Sequence, residues 1–92
     1  MIKSIRHKAL RHYWTRGDQR GLNPNWLTKI RRVLCVLDAA SSAEDLDLPG
    51  YYFHRLSGKW ANRFSVRVSR NYRLTFGWEK DGPIDLDLED YH

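Results

Sequence analysis

Two periodicities divide the chain. Up to about residue 40 the apolar positions recur every three or four residues, and beyond residue 50 they alternate with polar ones. In residues 7–15, Leu10, Tyr13 and Trp14 share one side of a helix, and Lys8, Arg11 and His12 take the other. Gly17, directly after Arg16, suits the left-handed cap that ends such a helix. Asn23-Pro24 predicts a second start, an N-cap followed by a residue pre-set for the first turn. From there Trp26, Ile30, Val33, Leu34, Leu37 and Ala40 keep helical spacing, so the two segments predict a packed helical hairpin. Residues 2–6, anchored by Ile2 and Ile5, read as a short strand before it. Residues 41–46 read as one helical turn after it, closed by Pro49-Gly50.

The alternating part predicts an antiparallel meander of four strands. Residues 51–56 form the first and 57–62 a loop. In residues 63–69, Phe64, Val66 and Val68 oppose Arg63, Ser65, Arg67 and Ser69. Arg70-Asn71 turns into residues 72–78, where Tyr72, Leu74, Phe76 and Trp78 face inward and Arg73 and Thr75 outward. After the turn Lys80-Asp81-Gly82-Pro83 comes a last strand with Ile84, Leu86 and Leu88 against Asp85, Asp87 and Glu89. It delivers Asp90, Tyr91 and His92 to its end. The expected fold is α+β, with two N-terminal helices covering the apolar face of a curved, mainly antiparallel sheet and an open polar face behind. The 92 residues suffice for one domain, 1–92, with a small core.

Charge sharpens this picture through its distribution. Residues 1–35 carry nine Lys/Arg against one acid, Asp18, whereas residues 36–92 carry seven against ten. A basic half attracts polyanions, nucleic acid foremost, although a solvated surface has the same composition. The single cysteine, Cys35, rules out an intrachain disulfide and fits a reducing compartment. His7, His12, His54 and His92 lack metal-ligand spacing. No apolar run has the length of a secretion signal or a membrane span. The expectation is a small soluble cytoplasmic domain without a membrane partner.

The open face holds the candidate chemistry. Arginine forks on adjacent strands match phosphate oxygens, and exposed rings such as Tyr91 or Trp60 can stack an unpaired base. His54 and the terminal Asp90, Tyr91 and His92 could reach one rim, where a carboxylate and imidazoles can exchange protons near neutrality. The alternative on the same residues is cross-strand pairing of these arginines with Asp85, Asp87 and Glu89.

Specific stretches resemble a known family. Asn71-Tyr72-Arg73-Leu74-Thr75-Phe76 is similar to its pattern N-[WY]-R-[IL]-x-F. The segment His54-x-Leu56-x-Gly58, the opening Met1-Ile2-Lys3-Ser4 and the closing Glu89-Asp90-Tyr91-His92 also match in order and spacing. Together they resemble the HigB-type toxins of the RelE/ParE superfamily, from type II toxin–antitoxin modules, over essentially the whole chain. The resemblance implies a RelE-like fold and cleavage of mRNA in the A site of the 70S ribosome, with contacts to 16S rRNA. It implies acid–base chemistry with 2′-hydroxyl attack, without metal or other cofactor. The implied catalytic residues are His54, Arg73, Asp90, Tyr91 and His92, with Lys59, Arg63, Arg67 and Arg70 binding RNA. Proton transfer would fall to His92 and Asp90 in an order left open. The implied partner is a HigA-type helix-turn-helix antitoxin, through which the complex would meet operator DNA. In one departure, Ser57 stands where many relatives carry lysine before the loop glycine, and Lys59 is the nearest substitute. The same scaffold in ParE-type toxins inhibits DNA gyrase without such chemistry, and an inactive relative binding only RNA or antitoxin is the other alternative.

Overall fold

The computed structural model describes residues 1–91, with Trp60 described by its main chain alone. Helix α1 spans Lys8–Arg16, opened by the His7 ring accepting from the Leu10 N–H at 3.2 Å and closed by left-handed Gly17. Asn23 caps Pro24–Trp26, a 3-10 turn that runs directly into α2, Leu27–Ala39. The sheet follows as β1 (His54–Arg55), β2 (Arg63–Arg67), β3 (Tyr72–Glu79) and β4 (Gly82–Asp90), antiparallel and in chain order. The α+β reading therefore stands: two helices and a four-stranded antiparallel sheet.

One layer of apolar side chains joins them. Helix α2 buries Ile30, Val33, Leu34 and Leu37, while α1 contributes Leu10. From the sheet come Phe64, Val66, Leu74, Phe76 and Leu86. Phe53, Phe64 and Phe76 stack in a row with centroid separations of 5.7 and 5.5 Å. At the rim Trp26 packs on Tyr72 at 4.5 Å. Each such large side chain stabilises the fold by about 1.5–3 kcal/mol relative to exposure. Tyr13 and Trp14 of α1 share a cleft with Arg31 and Cys35 of α2, so part of the helical pair stays open to solvent.

Three sequence expectations are corrected. The first concerns residues 51–56, which do not form one strand. Tyr52 has φ +50°, which breaks the ladder and leaves only His54 and Arg55 paired, opposite Ser65 and Phe64. The second concerns residues 2–6, which run parallel to β4 with a single bridge, Ile5 to Leu86. Their bonds include Lys3 N–H to Pro83 O at 2.9 Å, Arg6 N–H to Leu86 O at 2.7 Å and Leu86 N–H to Ser4 O at 3.2 Å. A regular ladder fails because the Ser4 hydroxyl, not a main-chain carbonyl, accepts the Asp85 N–H at 2.8 Å.

The third correction lies in β4 itself. Thr75 pairs with Asp87 and Gly77 with Ile84, so one extra residue bulges from β4, and Asp85 there has φ +51°. A bulge reverses which face the residues beyond it use. Leu86 is buried in the core and Leu88 packs against it, whereas Ile84 pairs with Gly77 on the other face. The approach is close: a Cβ on Gly77 would lie 3.2 Å from the Ile84 side chain.

Candidate functional site

The face away from the helices is narrower than its sequence suggests. Ser65 and Thr75 belong to it, yet both are buried, at 1% and 0% exposure. Arginine side chains bond across them. Arg73 Nη1 donates to Ser65 Oγ at 3.2 Å and to the Tyr52 carbonyl at 3.2 Å. Arg63 Nη2 donates to Thr75 Oγ1 at 3.0 Å and to the Asp85 carbonyl at 2.9 Å. The Thr75 hydroxyl in turn donates to Glu89, whose backbone stands opposite Arg73. A buried hydroxyl that both accepts and donates satisfies two charged neighbours at once, which ties β2, β3 and β4 together.

The three arginines therefore play different parts. Arg63 is half-buried with its Nε unpartnered, and burial lowers its pKa. Arg6 adds to that lowering, while Glu89, Asp85 and Asp87 oppose it. Its fork is occupied within the sheet. Arg73 donates to neutral oxygens, and its guanidinium lies 5.5 Å from the Tyr91 ring centroid. Arg67 lies 4.7 Å from the Tyr52 ring centroid and reaches the Ser69 carbonyl at 3.4 Å. Such pairs hold a cation over an exposed ring, and Tyr52 and Tyr91 are 55% and 42% exposed.

His54 completes this group. It stands opposite Ser65 on β1, exposed, with Nδ1 at 2.8 Å from the Tyr52 carbonyl. The fold thus brings His54, Arg67, Arg73 and Tyr91 to one face. Lys59 is exposed in the 3-10 turn Gly58–Trp60, and Arg70 is exposed in the β2–β3 turn, both at the margins. Asp90 differs. It pairs with Tyr72, and cross-strand partners share a face, so its register position belongs to the helix-bearing side with Leu74 and Leu88. His92 lies outside the described residues. Arg55, the neighbour of His54, turns to the other side, where it pairs with Glu44 and covers Phe64 at 5.3 Å.

Two participants do not stand out in the sequence. Glu89 reads there as one acid in a row, and only strand register sets it beside Arg73. Tyr52 reads as an ordinary strand residue. The nearby Pro49-Gly50 is the available sign that the chain bends there. Chemically, the face offers cationic donors for a phosphate, an imidazole with one ring nitrogen already bonded, and flanking aromatic surfaces. Among the described residues no cluster of three His, Cys, Asp or Glu could hold a metal ion.

Comparison with known proteins gives this arrangement a family. The family described as "RelE-like toxin of type II toxin-antitoxin system HigB" matches residues 3–92. The chain is 32% identical to Endoribonuclease HigB of Proteus vulgaris over 92 residues, covering both chains fully. It is 32% identical to Toxin HigB-1 of Vibrio cholerae serotype O1 over 80 residues, covering 85% of this chain and 84% of that one. Among solved structures, a point mutant of YafQ from E. coli superposes with a TM-score of 0.63 at 16% identity, covering 98% of this chain and 91% of its own. YafQ in the E. coli DinJ–YafQ toxin–antitoxin complex gives 0.54 at 15% identity, covering 98% and 90%. These last two share the fold. With the whole-length match in sequence, this chain belongs to the HigB-like family of RelE-like toxins from type II toxin–antitoxin systems.

Proposed function

We propose that this toxin is an endoribonuclease that cuts mRNA in the ribosomal A site and so arrests translation. The Proteus vulgaris relative is named Endoribonuclease HigB and matches along the whole chain. The single observation that carries the reading is the convergence of Arg73, His54 and Tyr91 on one face. Cleavage by 2′-hydroxyl attack needs a proton acceptor, a cation for the charge that builds on the phosphoryl oxygens, and a proton donor for the leaving 5′-oxygen. Arg73 is the cation, anchored by Ser65 and the Tyr52 carbonyl. Tyr91 stacks or orients the nucleotide, and Lys59, Arg67 and Arg70 meet flanking phosphates. Arg63 contributes by holding the face together. Proton transfer falls to the terminal Asp90 and His92, and His54 is a second imidazole contacting the phosphate or the leaving oxygen.

Because the chemistry uses side chains alone, no metal or other cofactor takes part. The basic surface of α1 and α2 suits 16S rRNA on the 70S ribosome. The cognate antitoxin is of the HigA helix-turn-helix type, and operator DNA is met only through that complex. The site of action is the cytoplasm.

The test is primer extension on a translated mRNA after brief expression of the wild type, Arg73→Ala and His92→Gln. Cuts within the reading frame, dependent on ribosomes and absent from both variants, are the expected result. Growth arrest with intact mRNA overturns the nuclease reading in favour of a gyrase inhibitor. Intact mRNA without arrest identifies a protein that only binds.

A further inference from the structure

We infer that the exposed ring of Tyr52 is a second nucleobase platform, holding the nucleotide on the other side of the cut phosphate from the one on Tyr91. The inference rests on the ribonuclease reading above and extends it to the bases of the substrate. The large apolar or aromatic side chains exposed among the described residues are Met1, Leu48, Tyr52 and Tyr91. Both rings of that group lie beside arginines of the open face. The neighbours Tyr51 and Phe53 pack against the core, whereas Tyr52 stays 55% exposed with the Arg67 guanidinium 4.7 Å from its ring centroid. Left-handed backbone, φ +50°, is unfavourable for a tyrosine. Two bonds hold it there, from Arg67 N–H to the Tyr51 carbonyl at 2.7 Å and from Arg73 Nη1 to the Tyr52 carbonyl at 3.2 Å. The turn thus carries the ring out of the core and ties it to two arginines.

Strand register supplies the rest. Arg67 of β2 is the direct partner of Arg73 of β3, so the two side chains start next to each other on one face. Like charges placed opposite each other destabilise a sheet, and an anion bound between them removes that cost. In order the groups are ring, cation, cation, ring: Tyr52, Arg67, Arg73 and Tyr91. A dinucleotide has the complementary order, with two bases joined through a charged phosphate. Guanidinium forks bond phosphate oxygens, and aromatic rings stack on base faces. One platform would fix one nucleotide and leave its neighbour free to turn, whereas two fix both ends of the bond to be cut. Every base has a face to stack, so Tyr52 accepts any of them and favours purines, whose larger rings stack more strongly.

The test uses a single-stranded hexamer of 2′-O-methyl RNA, which has no free 2′-hydroxyl to attack. It is added at low salt to the free protein, with tyrosine ring carbons labelled for NMR. The Tyr52 ring signals, assigned by their absence from Tyr52→Asn, should move upfield as a base stacks on them. They should stay in place with an abasic chain of equal charge. Asn tolerates left-handed backbone, so Tyr52→Asn keeps the turn and loses the ring. It should fold like the wild type, bind the hexamer about 5–100-fold more weakly and keep the salt dependence, because no phosphate contact is removed. Tyr52→Phe keeps the ring and should bind like the wild type. On translating ribosomes, with mRNAs differing at one base of the A-site codon, the wild type should cut faster with a purine at the stacked position. Tyr52→Asn should lose that preference and Tyr52→Phe should retain it.

Equal shifts with the abasic chain would overturn the inference, as would undiminished binding or an unchanged base preference in Tyr52→Asn. If the hexamer leaves the free protein's signals unmoved, the comparison of codons decides. A wild type that stacks the hexamer on Tyr52 but cuts no RNA removes the nuclease reading and leaves the platform standing. A wild type that neither binds nor cuts removes both.

Discussion

The two faces of this sheet are built on different physical terms. The helix-covered face is apolar, with Phe64, Val66, Leu74, Phe76 and Leu86 removed from water against Ile30, Val33, Leu34 and Leu37. Burial there is non-directional and tolerates rearrangement provided volume is kept. The opposite face buries Ser65 and Thr75 as well, but under arginine side chains and through directional bonds. Removing one partner there leaves another polar group unsatisfied. One face therefore supplies stability, and the other supplies a fixed arrangement of charge. The difference explains how so small a chain can present ordered cations without a deep pocket.

The largest expected effect tests the apolar side. Phe76→Ala, at the fully buried end of the stacked row, should lower unfolding free energy by about 3–5 kcal/mol in urea titration. Arg73→Ala tests the other. Its rate of RNA cleavage on ribosomes should fall about 10²–10³-fold, while its loss of stability stays at about 1–3 kcal/mol, from the buried Ser65 hydroxyl left without its donor. Equal losses of stability in the two variants would erase the distinction between the faces.

A sharper comparison uses two residues that the alternating pattern treats as equals. Leu86→Ala should cost about 2–5 kcal/mol, and Ile84→Ala distinctly less, because the bulge at Asp85 removes Ile84 from the core. Matching values would contradict the bulge. Arg63→Met should destabilise by about 1–3 kcal/mol, since Thr75 and the Asp85 carbonyl lose their donor. Glu89, Asp85 and Asp87 would also lose a central countercharge.

The smallest effect lies outside both faces. Ser41 main-chain N–H holds the Asp45 carboxyl below its ordinary value of 3.8, and Lys3 holds Asp81 below it in the same way. For such groups the unfolded chain binds more protons as acid is added, so their stabilisation is complete above the ordinary value and fades as pH falls through it. Thermal unfolding followed from about pH 5 to pH 2 should therefore show a shallower acid decline in Asp45→Asn than in the wild type. An identical decline would remove Asp45 from this account.

Much of the fold is legible in the chain itself. The intervals of Leu10, Tyr13 and Trp14 and of Ile30, Val33, Leu34 and Leu37 are local consequences of helical geometry. Asn23-Pro24 and Gly17 mark boundaries through their own backbone preferences. The alternation of Phe64, Val66, Leu74 and Phe76 against Arg63, Ser65, Arg73 and Thr75 assigns faces in the same local way. Arg73, His54 and Tyr91 can be nominated because residue chemistry and motif spacing are written in the chain. The left-handed turn at Tyr52 and the bulge at Asp85 are different. Neither is a glycine, so each conformation is held by bonds to distant segments: Arg67 N–H to Tyr51 O, and Asp85 N–H to Ser4 Oγ. Those bonds exist only once the chain has closed on itself. They decide that Ile84 leaves the core, that Glu89 rather than Asp90 stands beside Arg73, and that one carbonyl serves both His54 and Arg73. The sequence by itself determined the two layers and the residue types on each, because periodicity is local. Only the tertiary structure decided which of those residues meet, because register and main-chain direction depend on partners far along the chain.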